Sequence, residues 1–128
     1  MVRWFLPVIA RKHILVVDDY LDVRTNLARF LASEGYEVDA LGSGEEALVR
    51  LNEAQFDIVV TDNRMPGMSG AELARAIKSW TPFLPIVMLS ANPPAEPVSC
   101  VDVVVHKTEG ISKLLQVVAT ILSGSGGS

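Results

Sequence analysis

Short apolar runs alternating with helix-period segments constrain the fold of this chain more than any other feature. Ile14-Leu15-Val16-Val17 is a β-branched, apolar run of the kind a strand buried on both faces carries. Val23, Leu27, Phe30 and Leu31 then recur at helical spacing, and Gly35 supplies the stop. Residues 36–40 read as a second, edge-like strand. Ser43-Gly44-Glu45-Glu46 is a capping box that opens a helix continued by Ala47, Leu48 and Leu51. Residues 56–61 form a third strand. Ser69-Gly70-Ala71-Glu72 is a second capping box, and its helix carries Leu73, Ala74, Ile77 and Trp80 as apolar positions. Pro82 and Pro85 forbid its continuation. Ile86-Val87-Met88-Leu89 is a fourth buried strand, residues 101–105 are a fifth, and a last helix runs from about Ile111 to Leu122.

The order β-α-β-α-β-α-β-loop-β-α implies α/β architecture, a doubly wound parallel sheet of five strands covered on both faces. Right-handed crossovers leave few topologies. A flavodoxin-like order 2-1-3-4-5 is expected, with the ligand crevice outside the carboxyl ends of the strands. The stretch from Ser90 to Lys107 is short and holds Pro93, Pro94 and Pro97. A fourth helix there is therefore expected to be reduced or absent. Met88, Val101, Val103 and Val105 are then the apolar residues expected to be most at risk of exposure on the fourth and fifth strands, though alternation sends only some of them to that face.

The 128 residues fit one domain. Residues 1–12 read as an N-terminal extension, 13–122 as the domain, and 123–128, rich in Ser and Gly, as a flexible tail. The apolar run around Trp4-Phe5-Leu6 is too short to span a bilayer, and Arg11-Lys12 stand where a signal peptide needs small residues. A formal charge of −4 without a basic run argues against nucleic acid and membrane partners. The lone Cys100 cannot form an internal disulfide, which fits a cytoplasmic setting.

Polar groups gather where the strands end: Asp18-Asp19 after the first, Asp62 at the third, Ser90 at the fourth, and His106-Lys107 at the fifth. Singly, each has an ordinary role: Asp19 would suit a helix cap, Asp62 a turn, Lys107 a solvated surface. Jointly they suit chemistry. Three carboxylates in one crevice repel unless a cation offsets them. Hard oxygen ligands suit Mg²⁺, which also favours phosphate oxygens. Lys107 adds a point charge and Ser90 a hydroxyl donor. These are the parts for in-line phosphoryl transfer to a carboxylate.

Asp18-Asp19, the segment Asp62-Asn63-Arg64-Met65-Pro66-Gly67-Met68-Ser69-Gly70, Ser90-Ala91 and Lys107 together resemble the signature of response-regulator receiver domains over about residues 13–122. The resemblance implies that Asp62 is the phosphoacceptor of a two-component phosphorelay. It implies that Asp19, Asp62 and the carbonyl of Arg64 ligate Mg²⁺, with Asp18 acting through a metal-bound water. Ser90, the backbone of Ala91 and Lys107 would contact the phosphoryl oxygens. The donor would be a phosphohistidine on a histidine kinase or histidine phosphotransfer protein. Such a domain catalyses only its own phosphorylation and dephosphorylation, and signals by protein contact.

Two positions depart from the family pattern. Val104 stands where receivers usually carry Tyr or Phe, and Thr108 where Pro usually follows the lysine. With the three prolines, these departures motivate the rival reading of a degenerate receiver that works as a phosphate-independent interaction module. A haloacid-dehalogenase-like phosphatase needs an Asp-x-Asp motif after the first strand, and Asp18-Asp19-Tyr20 does not supply it. A flavin site needs a phosphate loop there, which two aspartates would oppose. The last helix has a wide apolar side of Ile111, Leu114, Leu115, Val117, Val118, Ile121 and Leu122. Either it packs deeply within the domain or, with the face of the fourth and fifth strands, it binds a second copy or an effector protein.

Overall fold

The computed structural model describes residues 11–92 and 98–127. Strands β1 (His13–Val17), β2 (Glu37–Leu41), β3 (Ile58–Asp62), β4 (Ile86–Ser90) and β5 (Val103–His106) form one sheet in the order β2-β1-β3-β4-β5. All four pairings are parallel, as the expected 2-1-3-4-5 order requires. Helices α1 (Leu21–Ser33), α2 (Gly44–Glu53), α3 (Gly70–Trp80) and α4 (Gly110–Gly127) cover it, with a 3₁₀ turn over Lys107–Glu109 before α4.

Side-chain alternation divides the core in two. Ile14, Val16, Ile58, Val60, Val87, Leu89 and Val105 pack with Leu31 of α1 and Leu114, Val118 and Leu122 of α4. Leu15, Val17, Val59 and Ile86 pack on the other face with Ala47 of α2 and Leu73, Ala74 and Ile77 of α3. Of the inner strands, β3 and β4 are buried at every position and β1 at all but His13, because helices close both faces. Among the described residues, no helix is long and apolar enough to cross a membrane.

Local signals act as their chemistry requires, with exceptions. Ser69 and Glu72 complete a reciprocal capping box on α3. At α2, Ser43 accepts from the Glu46 amide, but the Glu46 carboxylate reaches back to the amide of Gly42, so that box closes one residue early. Gly35 takes φ 98 after α1, a left-handed turn that suits glycine. Phe30 and Trp80, apolar positions in the helical pattern, are largely exposed because each lies at the edge of its helix's buried stripe.

The described residues between β4 and β5 contain no helix; Pro93, Pro94 and Pro97 lie outside the described residues. The expected exposure over these strands is found at two of the four residues. Met88 and Val105 are buried, Val105 because it faces α4, and only Val101 and Val103 are half-exposed. The wide apolar side of α4 packs in large part within the domain: Ile111, Leu115, Val117 and Ile121 are partly buried against the core beside the buried Leu114, Val118 and Leu122. Trp4-Phe5-Leu6 lies outside the described residues. The helix also runs past Leu122 to Gly127, into the expected flexible tail, since extending a formed helix is far easier than starting one.

Candidate functional site

The crevice expected at the carboxyl ends of the strands is a cleft of about 220 Å³ lined by Asp19, Tyr20, Asp62, Asn63, Arg64, Ser90, Ala91, Asn92 and Lys107. Parallel strands explain the convergence, since all five end on the same side. Asp62 is the last residue of β3 and Ser90 the last of β4, and both are buried. Lys107 follows β5 and reaches across the cleft, its Nζ 3.2 Å from Asp62 Oδ1 and 3.8 Å from Asp18 Oδ2.

Asp18 and Asp19 divide the labour differently from a simple cap. Asp18 is fully buried, and its Oδ1 accepts a 2.9 Å hydrogen bond from the amide of Tyr20. Asp19 does not cap α1, whose first turn has no side-chain cap. Instead Asp18 Oδ2 and Asp19 Oδ1 are buried without a hydrogen-bond partner. Asp18, Asp19 and Asp62 each offer a carboxylate oxygen, and these three atoms lie within 4.8 Å of one another. At that separation a pair of full charges repels by roughly 3.5 kcal/mol at an effective dielectric of about 20. Burial pushes the Asp18 carboxyl above its ordinary value; the Tyr20 amide pulls it back, and the Asp62 charge raises it again. One lysine cannot balance three carboxylates. Clustered hard oxygens with unused lone pairs fit a divalent cation such as Mg²⁺.

Close packing holds the loop after β3. The α3 helix begins so near β3 that a Cβ on Gly70 would sit 2.2 Å from the carbonyl oxygen of Asp62 and 3.0 Å from Asn63 Cα. The Gly70 amide donates to the Asn63 carbonyl at 2.8 Å. Gly67 takes φ 76 in the turn between them, and Met65 is buried beneath it. Arg24 Nη1 donates to the carbonyls of Asp18 and Asp19 at 3.2 and 3.4 Å, steadying the β1–α1 loop. Sequence reasoning missed Arg24, Tyr20 and Asn92. A side chain that bonds backbone carbonyls leaves no motif.

Every sequence-expected residue reaches this region: Asp18, Asp19, Asp62 and Lys107 by side chain, and Arg64, Ser90 and Ala91 along the cleft wall. The fold and site define a flavodoxin-like α/β protein with a carboxylate–lysine crevice at its strand ends. The family model for the response regulator receiver domain matches residues 14–119, and the chain belongs to that family. It is 41% identical over 79 residues to the two-component response regulator PhoP of Pseudomonas aeruginosa, a match covering 62% of this chain and 35% of that protein. The chain thus spans about a third of the length of that curated relative. Among solved structures it resembles the response regulator protein TrrA of Thermotoga maritima in complex with Mg(2+)-BeF, at 35% identity and TM-score 0.81, covering 86% of this chain and 98% of that one. It also resembles the complex of histidine kinase ThkA with TrrA, at 35% identity and TM-score 0.79, covering 87% and 98%.

Proposed function

We propose that Asp62 accepts a phosphoryl group from a phosphohistidine on a partner histidine kinase or phosphotransfer protein. The observation that carries this reading is the Lys107 Nζ lying 3.2 Å from Asp62 Oδ1 where the three carboxylates converge. In the transfer, an Asp62 oxygen forms the new P–O bond as the P–N bond to the donor imidazole breaks, and that imidazole keeps the bonding electron pair and takes up a proton. Asp18, Asp19 and Asp62, with the Arg64 carbonyl, would hold Mg²⁺, which supplies charge neutralisation at the phosphoryl oxygens. Lys107 pairs with a phosphoryl oxygen, Ser90 Oγ and the Ala91 amide donate to the others, and the buried Asp18 keeps the site's charge high enough to retain the cation. The chain is modified once per cycle and releases no product of its own beyond phosphate.

The partner surface fits the α1 side better than the β4–β5 face. An apolar groove of about 270 Å³ between α1 and α4 opens beside Lys107, lined in part by Val23, Leu27, Phe30 and Ile111. Tyr20 and Leu21 stand exposed at the start of α1. Val104 favours a second reading of the output: paired with Met88 in the sheet and half-buried, it offers no ring to swing inward on phosphorylation. Incubation with acetyl phosphate and Mg²⁺, followed by intact mass, tests the acceptor. One phosphoryl should add, and Asp62→Asn should abolish the gain. Undiminished labelling of that variant at another residue would refute the assignment.

A further inference from the structure

The lysine that serves the acceptor is carried on a turn with its own lock. Lys107 opens the 3₁₀ turn Lys107–Glu109, and His106 is the residue that caps it. The Thr108 amide donates to His106 Nδ1 at 3.1 Å, and the Glu109 carboxylate accepts from the His106 amide at 2.9 Å. This is a reciprocal capping box in which an imidazole takes the place of the usual hydroxyl or carboxylate. The Thr108 hydroxyl lies 2.7 Å from the same Nδ1. A backbone amide only donates, so Nδ1 must present its lone pair, and the neutral ring carries its proton on Nε2. The turn closes on the Lys107 carbonyl, which accepts from Gly110, a glycine at φ 84. Behind it, His106 pairs in register with Ser90 on β4. The lock therefore ties the Lys107 backbone to the strand that ends in Ser90.

We infer that His106 is a positioning residue for phosphoryl transfer: by accepting the Thr108 amide through Nδ1, it fixes the turn that aims Lys107 at Asp62. The inference rests on the acceptor role proposed above for Asp62. A five-residue stretch with one long, flexible lysine has many ways to point, and the capping box removes most of them. Thr108 leaves its amide needing an acceptor, and His106 supplies one.

Two substitutions separate this role from mere packing. His106→Phe keeps a ring of similar size without the acceptor, and His106→Asn keeps a short capping acceptor without the ring. Acetyl phosphate uptake by Asp62, followed by intact mass, should fall about fivefold in His106→Phe, the rate equivalent of one lost cap, and stay near wild type in His106→Asn. In a Lys107→Ala background, His106→Phe should cause no further loss. A Phe variant as fast as wild type, or an Asn variant as slow as Phe, overturns the inference. Absence of uptake by the wild-type chain would instead overturn the acceptor reading. Metal-free urea unfolding provides an arm independent of that reading. The stability losses of His106→Phe and Lys107→Ala should be less than additive, because loosening the turn already separates Lys107 from Asp18 and Asp62. Strict additivity overturns the positioning role whether or not Asp62 takes a phosphoryl group.

Discussion

Replacing Gly70 by alanine sets two physical effects against each other. Gly70 is the first residue of α3, where helix propensity alone favours alanine by at most about 1 kcal/mol. Sterics oppose it, since the new Cβ would lie 2.2 Å from the Asp62 carbonyl oxygen, 3.1 Å from Asp62 C and 3.0 Å from Asn63 Cα. All three are backbone atoms, so no rotamer change relieves the contact. The α3 start must move off the end of β3 by roughly 1 Å, and overpacking of this kind costs about 1–3 kcal/mol. The 2.8 Å bond from the Gly70 amide to Asn63 is strained by the same movement, a further loss of about 1 kcal/mol. The net expectation is a destabilisation of about 2–3 kcal/mol, read by urea unfolding, with a fall in Tm of roughly 10 °C. A displaced Asp62 should also slow phosphoryl uptake, by up to about a hundredfold for a 1 Å misplacement. Gly44→Ala is the matched control. Its Cβ meets the Met68 side chain, Sδ at 2.8 Å, Cγ at 3.0 Å and Cβ at 3.1 Å; the flexible thioether yields and a shift of a few tenths of an ångström relieves the rest, for about 1 kcal/mol. If Gly70→Ala proved as stable as wild type and took up phosphoryl at the same rate, the close approach of α3 to the acceptor would not constrain the site.

Lys107→Ala should lower stability in metal-free buffer by about 1 kcal/mol, because Asp18 and Asp62 lose a partly exposed counter-charge; added Mg²⁺ should shrink the deficit, and equal stability without metal would contradict this. Asp19→Ala should weaken Mg²⁺ binding more than Asp18→Ala, measured by NMR shifts at Asp62 and Arg64, since Asp18 already spends one oxygen on the Tyr20 amide; equal losses would reverse the ordering. Asp39 offers a pH test far from the cleft. Burial pushes its carboxyl up, but the Arg50 hydrogen bond at 2.6 Å and the neighbouring His13 outweigh that and hold it below the ordinary 3.8. A depressed acid contributes stability above 3.8 that is lost as pH falls through the lowered value. Asp39→Asn should therefore cost roughly 0.5–1 kcal/mol at neutral pH, and the difference should close in acid; a deficit that persists at low pH would mean the loss is not electrostatic.

The alternation of apolar runs and helical segments determined the parallel sheet, its strand order and the side on which the site lies. A sheet buried on both faces leaves period-independent apolar strands, and right-handed crossovers do the rest. The placement of Asp18, Asp19, Asp62, Ser90 and Lys107 followed, because parallel strands deliver their last residues to one edge. Tertiary structure alone decided which carboxylate is spent on a backbone amide, and that the apolar side of α4 faces the core. It also decided that Met88 and Val105 are buried. Those outcomes depend on which neighbour covers a given face, and periodicity reports that a face is apolar without naming its cover. The same limit hid Arg24 and the His106 capping box. Arg24 reaches main-chain carbonyls, which every residue possesses, and the His106 box shows the glutamate at its third position but an imidazole where a cap usually carries a hydroxyl or carboxylate.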